Sequence, residues 1–432
     1  MFVADCLQVN KQGHLCMEEL DVLELAAKYG TPLYVMSETQ IRKNCRMYQD
    51  SLKRFYGGNG LALYASKAFC CKEICRIAAQ EGMGLDVVSG GELYTAVSAG
   101  FSPEKIYFHG NNKTAPELVA ALEQKVGTIV VDNLEELEML DRLAGAQNIH
   151  QQIMLRIKPG VGAHTHNFIR TGQIDSKFGF ALETGEAMAA VKQAVRCSHI
   201  ELTGLHCHIG SQIFDTDPFL LTARIMIGFL AQIRQQTGCE LRKLNLGGGF
   251  GIQYTPDQNP PMYETYMEHV SSAIHEACGL LDFPMPYILM EPGRSIVGPA
   301  GITLYTVGSV KEIPGVRTYV SVDGGMTDNP RYALYQSEYQ IMNAGLATQE
   351  KTMRVTLAGR CCESGDLIGE NLPVQHLEKG DVVAVLSTGA YNYSMASHYN
   401  RMPNPPVVMV RENNDRVIVR RETWEDLIRM DV

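Results

Sequence analysis

"LALYASKAF" occupies residues 61–69. A short apolar run of strand character ends at Ser66, and a lysine, Lys67, follows it. The run recurs: "LDVVS" starts at 85, "IYFHG" at 106, "TIVVD" at 128 and "IMLRI" at 153, so successive starts lie 24, 21, 22 and 25 residues apart. That interval holds one strand and one helix. The segments between have helical patterning. "CCKEICRIAAQEG" (70–82) puts Ile74, Ile77 and Ala78 on one face, and "NLEELEMLDRLAG" (133–145) spaces Leu134, Leu137 and Leu140 by three. Further runs, "LTGLHCH" (202–208), "KLNLG" (243–247) and "YILME" (287–291), bring the count to eight. Eight parallel strands with intervening helices predict an α/β fold, a (β/α)8 barrel. A doubly wound sheet shares this local signature, because strand order is not written in a single sequence.

Beyond about residue 295 the texture changes. "TLYTVGSVKEI", "RTYVSVDGG", "MRVTLAG", "DVVAVLST", "PPVVMVREN" and "RVIVRRE" alternate apolar and polar residues between turn signals. This predicts a second, all-β domain of antiparallel strands, a barrel or sandwich. The expected division is a barrel over 31–292 and a β domain formed by 1–30 with 293–432. "TPLYVMSETQ" supplies an extra strand (32–36) and a helix leading into the barrel.

Composition narrows the function classes. The 432 residues are 45% hydrophobic and 20% charged, with a formal net charge of −10 and no basic run. That argues against nucleic acid and anionic membrane surfaces as partners. No apolar segment reaches the roughly 20 residues that span a bilayer. The N-terminus has Asp5 in its apolar part and no basic start, unlike a signal peptide. Twelve cysteines are scattered without a paired CxxC pattern, so no metal site is expected. Reduced cytoplasmic thiols are the expectation.

In barrels of this kind, chemistry sits at the C-terminal strand ends. Lys67, Asp86, His109, Asp132, Arg156, His206, His208, "NLGGGFG" (245–251) and Glu291 fall there. Taken singly, each has an ordinary account: strand ends are polar, and a histidine on a buried strand is usually a hydrogen-bonded core residue. Together they suggest a site. Gly247, Gly248 and Gly249 leave backbone N–H groups open to an anion, although a tight turn needs glycine too. Lys67, desolvated at a barrel mouth, would be a nucleophilic amine. A Schiff-base lysine beside a phosphate cradle points to pyridoxal 5′-phosphate, whose pyridine nitrogen needs a partner. Glu291 can fill that role and keep the ring protonated. His208 can lie flat against the ring.

Eight motifs, "YASKA", "SGGEL", "HTHNFIRTGQIDSKFGF", "GLHCHIGSQ", "LNLGGGFG", "EPGR", "CESGD" and "GAY", occur in this order. From about residue 30 to 400 the sequence resembles the fold-type III, pyridoxal phosphate-dependent amino-acid decarboxylases. The resemblance implies that Lys67 carries the cofactor. His208 stacks on its ring, Ser211, Gly248 and Gly249 meet its phosphate, and Glu291 pairs with its ring nitrogen. Pro292 and Gly293 of "EPGR" also line the cofactor, Arg294 meets cofactor and substrate, and Tyr391 contacts phosphate and substrate. Arg331 and Tyr335 of "DNPRYALY" hold the far end of the substrate. Cys362 and Glu363 enter from a second subunit, as proton donor and ammonium ligand, so a homodimer with shared sites is implied. Cys361 precedes Cys362, and the register of Glu363 decides which of the two is the donor. The implied reaction converts meso-2,6-diaminopimelate to L-lysine and CO2. An arginine and a glutamate suit that substrate's distal carboxylate and ammonium. Decarboxylases of ornithine, arginine or carboxynorspermidine, and a non-catalytic homologue that binds a partner, are the alternatives.

Overall fold

A computed structural model describes residues 3–161 and 175–432. Eleven residues of the motif at 164–180, His164 to Ile174, lie outside this description. The chain forms two compact units. One comprises 44–251 and 260–293; the other comprises 1–43, 252–259 and 294–432.

In the first unit, eight parallel strands close the barrel: β1 (Gly60–Ala65), β2 (Gly84–Val87), β3 (Ile106–Phe108), β4 (Thr128–Val131), β5 (Gln151–Lys158), β6 (Ile200–Cys207), β7 (Lys243–Asn245) and β8 (Tyr287–Met290). They pair in chain order, and β8 closes on β1 through Met290↔Ala62. The structure is therefore the closed barrel, not the doubly wound sheet. Its interior is filled by Leu63, Tyr107, Val130, Met154 and Leu289, all buried, as layered barrel cores are.

Local sequence explains the intervening helices. Lys72–Gln80 buries Ile74, Cys75, Ile77 and Ala78. Asn133 caps Leu134–Ala146 by accepting from the Glu136 amide. Thr114 and Glu117 form a capping box at Ala115–Glu123. Glu117 Oε1 also accepts from Gly90 N at 2.8 Å, which ties one helix start to the next.

The second unit is built on the long strand Gly301–Ile313, which pairs antiparallel with Leu33–Ser37, Arg317–Val322 and Val382–Val385. The expected antiparallel pattern holds for most of this unit but not all of it. Arg317–Val322 runs parallel to Met353–Ala358, and Val407–Arg411 runs parallel to Leu33–Ser37. Leu33–Ser37 is followed by the helix Glu38–Tyr56 and then β1, but the strand itself pairs in this unit's sheet. All five of its residues are buried, and its core-facing Leu33 and Val35 pack with Ile302, Leu304, Ala384 and Val408. Such a short, mostly apolar run looks alike in either setting, and only its hydrogen-bond partners distinguish it. Residues 7–21 form a small three-stranded sheet whose Leu15 and Met17 join the same core.

Within the barrel unit, Lys113 and Glu136 form a buried ion pair at 2.8 Å, and Lys113 Nζ also donates to the Gly110 and Val130 carbonyls. Removing one partner strands a charge in the interior. Lys113→Ala should therefore destabilise the protein by about 3 kcal/mol, while Lys113→Met with Glu136→Leu recovers most of the loss. Denaturant unfolding of the single and double variants checks this.

Candidate active site

The barrel's strands deliver a cluster of polar groups to their C-terminal ends. Glu291 follows β8 directly and is buried. Asn245 Nδ2 donates to its Oε1 at 2.6 Å, and His206 Nε2 lies 3.2 Å from its Oε2. His109 Nε2 lies 2.9 Å from Oε1 and 3.8 Å from Asp86 Oδ1. The rings of His109 and His206 meet edge to face, 4.8 Å apart. Asp86, His109, His206 and Asn245 are all buried.

These contacts set the charge states. Burial alone would raise the Glu291 carboxyl, but His109 and His206 overcome it and hold the group well below the ordinary carboxylate range. Burial pushes His206 down to about 4 despite the attraction of Glu291. A neutral His206 beside an ionised Glu291 must carry its proton on Nε2, because a carboxylate only accepts. Burial raises Asp86, although His109 opposes it. His208 is pushed well below its ordinary value, first by burial and then by the positive charges of Lys67 and Arg156. His109, His206 and Glu291 have donor atoms within 4.8 Å of one another, near enough to hold a metal ion. In each histidine it is Nε2 that faces the Glu291 carboxylate.

Lys67 lies in a short 3-10 turn immediately after β1. Unlike the desolvated amine expected from the sequence, its side chain is exposed; its neighbours Ser66 and Ala68 are buried. It is close enough for its charge to act on Asp86, Glu92 and His208. Ser211 is half-buried in the loop after β6.

The glycine run forms a cradle after β7. Gly247 and Gly249 have φ of +69° and +111°, values that favour glycine. A Cβ on Gly248 would overlap the Glu291 carbonyl oxygen. Ile213 N donates to Gly249 O at 3.0 Å and Gly251 N to Ile213 O at 3.1 Å, so the loops after β6 and β7 are zipped backbone to backbone. Buried Pro292 and Gly293 continue from Glu291, and a Cβ on Gly293 would come within 2.9 Å of the Ala65 side chain. An exposed amine, an ionised buried carboxylate and a backbone cradle without side chains match the aldehyde, ring nitrogen and phosphate of pyridoxal phosphate. The residues present fit that group.

The second unit holds its own polar cluster. Buried Arg294 donates from Nη1 to Tyr254 Oη at 2.6 Å, and its guanidinium lies 4.6 Å from the centre of the Tyr391 ring. Buried Arg331 donates to Tyr339 Oη at 2.8 Å and lies 4.9 Å from the centre of the Tyr254 ring. Burial would raise the Tyr254 phenol, but the two guanidiniums win and lower it. Tyr391 has φ +63°. Tyr335 is half-buried. Glu363 helps line a cavity of about 430 Å³ with Tyr332, Glu370 and Tyr399.

Of the twelve cysteines, Cys362 alone is exposed. Its N–H donates to Asn400 Oδ1 at 2.7 Å. Half-buried Cys361 has its thiol pushed up to about 11 by burial and by Asp366.

Sequence reasoning did not anticipate Asn245 as a partner of Glu291, nor Tyr254 and Tyr339 as partners of the arginines. Asn245 stands beside the glycine run, in "LNLGGGFG". The tyrosines, in "GIQYTP" and "SEYQI", have no spacing signal.

Residues 38–298 match the family profile "Pyridoxal-dependent decarboxylase, pyridoxal binding domain". The chain is 48% identical over 435 residues to a diaminopimelate decarboxylase of Bacillus subtilis (strain 168), covering 100% of this chain and 98% of the relative. A diaminopimelate decarboxylase from M. jannaschii, solved in complex with L-lysine, superposes with a TM-score of 0.92 at 37% identity, covering 100% of this chain and 99% of that one. A Helicobacter pylori diaminopimelate decarboxylase, also complexed with L-lysine, gives a TM-score of 0.87 at 31% identity and covers 95% and 99%. Among the described residues, no helix is long and apolar enough to cross a membrane.

The titration of the Glu291 cluster has a readable consequence. His206 falls from an ordinary 6.5 to about 4 on folding. Between those values the unfolded chain binds a proton that the folded chain refuses, so stability drops as pH falls through this window. Glu291, held low, acts in the same direction at still lower pH. The His206 contribution should reach up to about 3 kcal/mol near pH 4. His206→Gln, which keeps a donor but cannot titrate, should show a shallower loss between pH 6.5 and 4.5 in urea unfolding.

Proposed function

The chain belongs to the pyridoxal-dependent decarboxylases, among the diaminopimelate decarboxylases, and on that premise we infer that it converts meso-2,6-diaminopimelate to L-lysine and CO2. The observation that carries the reading is the buried, ionised Glu291, set beside an anion cradle at the barrel end that bears an exposed lysine. The near-complete coverage of the relatives supports the choice of substrate.

When bound, pyridoxal phosphate supplies a cationic ring that accepts the electron pair left on carbon as CO2 departs. Lys67 Nζ tethers it. Glu291 offers an ionised carboxylate to the ring nitrogen, and His206 and Asn245 keep that carboxylate charged and oriented. His208, kept neutral, presents a flat ring without adding charge. The amides of Gly248 and Gly249 and the Ser211 hydroxyl bind the phosphate, and Pro292 and Gly293 give the turn its close approach. Tyr391 adds a contact to phosphate and substrate.

Arg294 and Arg331 offer guanidiniums held by tyrosines. A fork of donors suits a carboxylate, and Arg331 with Tyr335 takes the distal amino-acid end of the substrate. Glu363 takes its distal ammonium. Cys362 Sγ gives the proton that replaces CO2; its exposure supports that role over Cys361, whose thiol is held at about 11. The active form is a homodimer in which Cys362 and Glu363 complete the neighbour's site, and the enzyme works in the cytoplasm.

Arg331→Ala should raise KM for meso-2,6-diaminopimelate by about 10- to 100-fold, the loss of a charged hydrogen bond. CO2 release from the unsubstituted protein should be confined to the substrate with a distal carboxylate. Equal or greater release from ornithine would overturn the substrate assignment.

The shared site is tested by mixing two inactive chains, Lys67→Ala and Cys362→Ala, unfolding them and refolding them together. Random pairing leaves one intact site in each mixed dimer, so about a quarter of the unsubstituted activity should return. No return would place both residues in one chain's site.

A further inference from the structure

Asn245, the last residue of β7, is fully buried. Its Nδ2 donates to Glu291 Oε1 at 2.6 Å, and its Oδ1 accepts from Gly247 N at 2.9 Å. These partners fix the orientation of the amide, since a carboxylate only accepts and an N–H only donates. Gly247 is bound to Glu291 a second time, by Glu291 N donating to Gly247 O at 2.9 Å. One side chain thus joins the acid after β8 to the first residue of the glycine cradle.

We propose that Asn245 is a positioning residue that sets the orientation and charge of Glu291 and the conformation of the glycine loop together, so that one amide registers the ring end and the phosphate end of the cofactor. This rests on the reading of Glu291 and the loop as cofactor contacts. No other common side chain of this size performs both tasks. Leucine would leave the Gly247 amide without its partner and Glu291 Oε1 with His109 alone. Aspartate would still accept from Gly247 N, but it would bring a second carboxylate against Oε1. Two carboxylates that close cannot both ionise, and they share a proton.

The test uses full-length Asn245→Asp and Asn245→Ala proteins, stripped of cofactor and titrated with pyridoxal phosphate by visible absorbance. Asn245→Asp keeps the loop bond, so its affinity should stay within about 3-fold of the unsubstituted chain. The pH at which its bound-cofactor spectrum changes should move by about one unit or more, because Glu291 is no longer fully charged. Adding Glu291→Gln to Asn245→Asp should abolish that dependence on residue 245, since the carboxylate pair is gone. Asn245→Ala loses both bonds and should bind at least about 10-fold more weakly. Circular dichroism and the unfolding midpoint of Asn245→Asp, nearly identical in shape to the original, verify the fold. If the unsubstituted chain loads normally while Asn245→Asp keeps its pH profile, or Asn245→Ala binds as tightly, the proposal is overturned alone. If the chain takes up no pyridoxal phosphate, substituted or not, the reading of the site fails and the proposal fails with it.

Discussion

A carboxylate held ionised inside a barrel is the constraint on which the rest of the site depends. Burial works against the charge on Glu291, and the structure answers with three donors from three different strand ends: His109 after β3, His206 on β6 and Asn245 on β7. None is adjacent in sequence to another. Only closure of the sheet, with β8 against β1 and β4 against β5, brings those ends to one rim. The fold therefore supplies the electrostatic environment in which one acid stays charged where its burial would otherwise neutralise it.

The two units carry different chemistry, each within itself. The barrel offers an amine, an anion and a backbone cradle. The β unit offers guanidiniums whose partners are phenols and aromatic faces. A phenol holds a guanidinium in place without cancelling its charge, so the arginine keeps its full attraction for a carboxylate. A carboxylate partner would fix the geometry equally well but would compete with any acidic ligand.

Much of the architecture was legible in the sequence because it rests on repetition. Five strand starts at near-constant spacing encode the barrel, and alternation after residue 295 encodes β structure. Strand partnership is not encoded that way. The extra strand over 32–36 reads as part of the barrel division because apolar runs look alike, and its partners, distant in the chain, put it in the other sheet. The site was legible to the same degree. Lys67, the glycines and Glu291 stand at strand ends, where position alone singles them out. The exposure of Lys67 was not legible, because whether a strand-end side chain is covered depends on loops that carry no pattern. Asn245 was hidden for a different reason: its role lies in whom it touches, Glu291 and Gly247, and a pairing across strands leaves no periodic trace.

The pairing of Leu33 with Leu304 and of Tyr34 with Val407 has a consequence for biosynthesis. A ribosome releases the early strand long before either neighbour exists, about 270 and 370 residues ahead of them. Barrel strands all emerge in that interval and can close on one another. Until the C-terminal strands arrive, a mostly apolar segment waits with open backbone edges, the kind of surface that recruits wrong partners. A chain halted before residue 407 would leave that edge permanently uncovered, so premature termination should expose a sticky strand rather than merely shorten the protein.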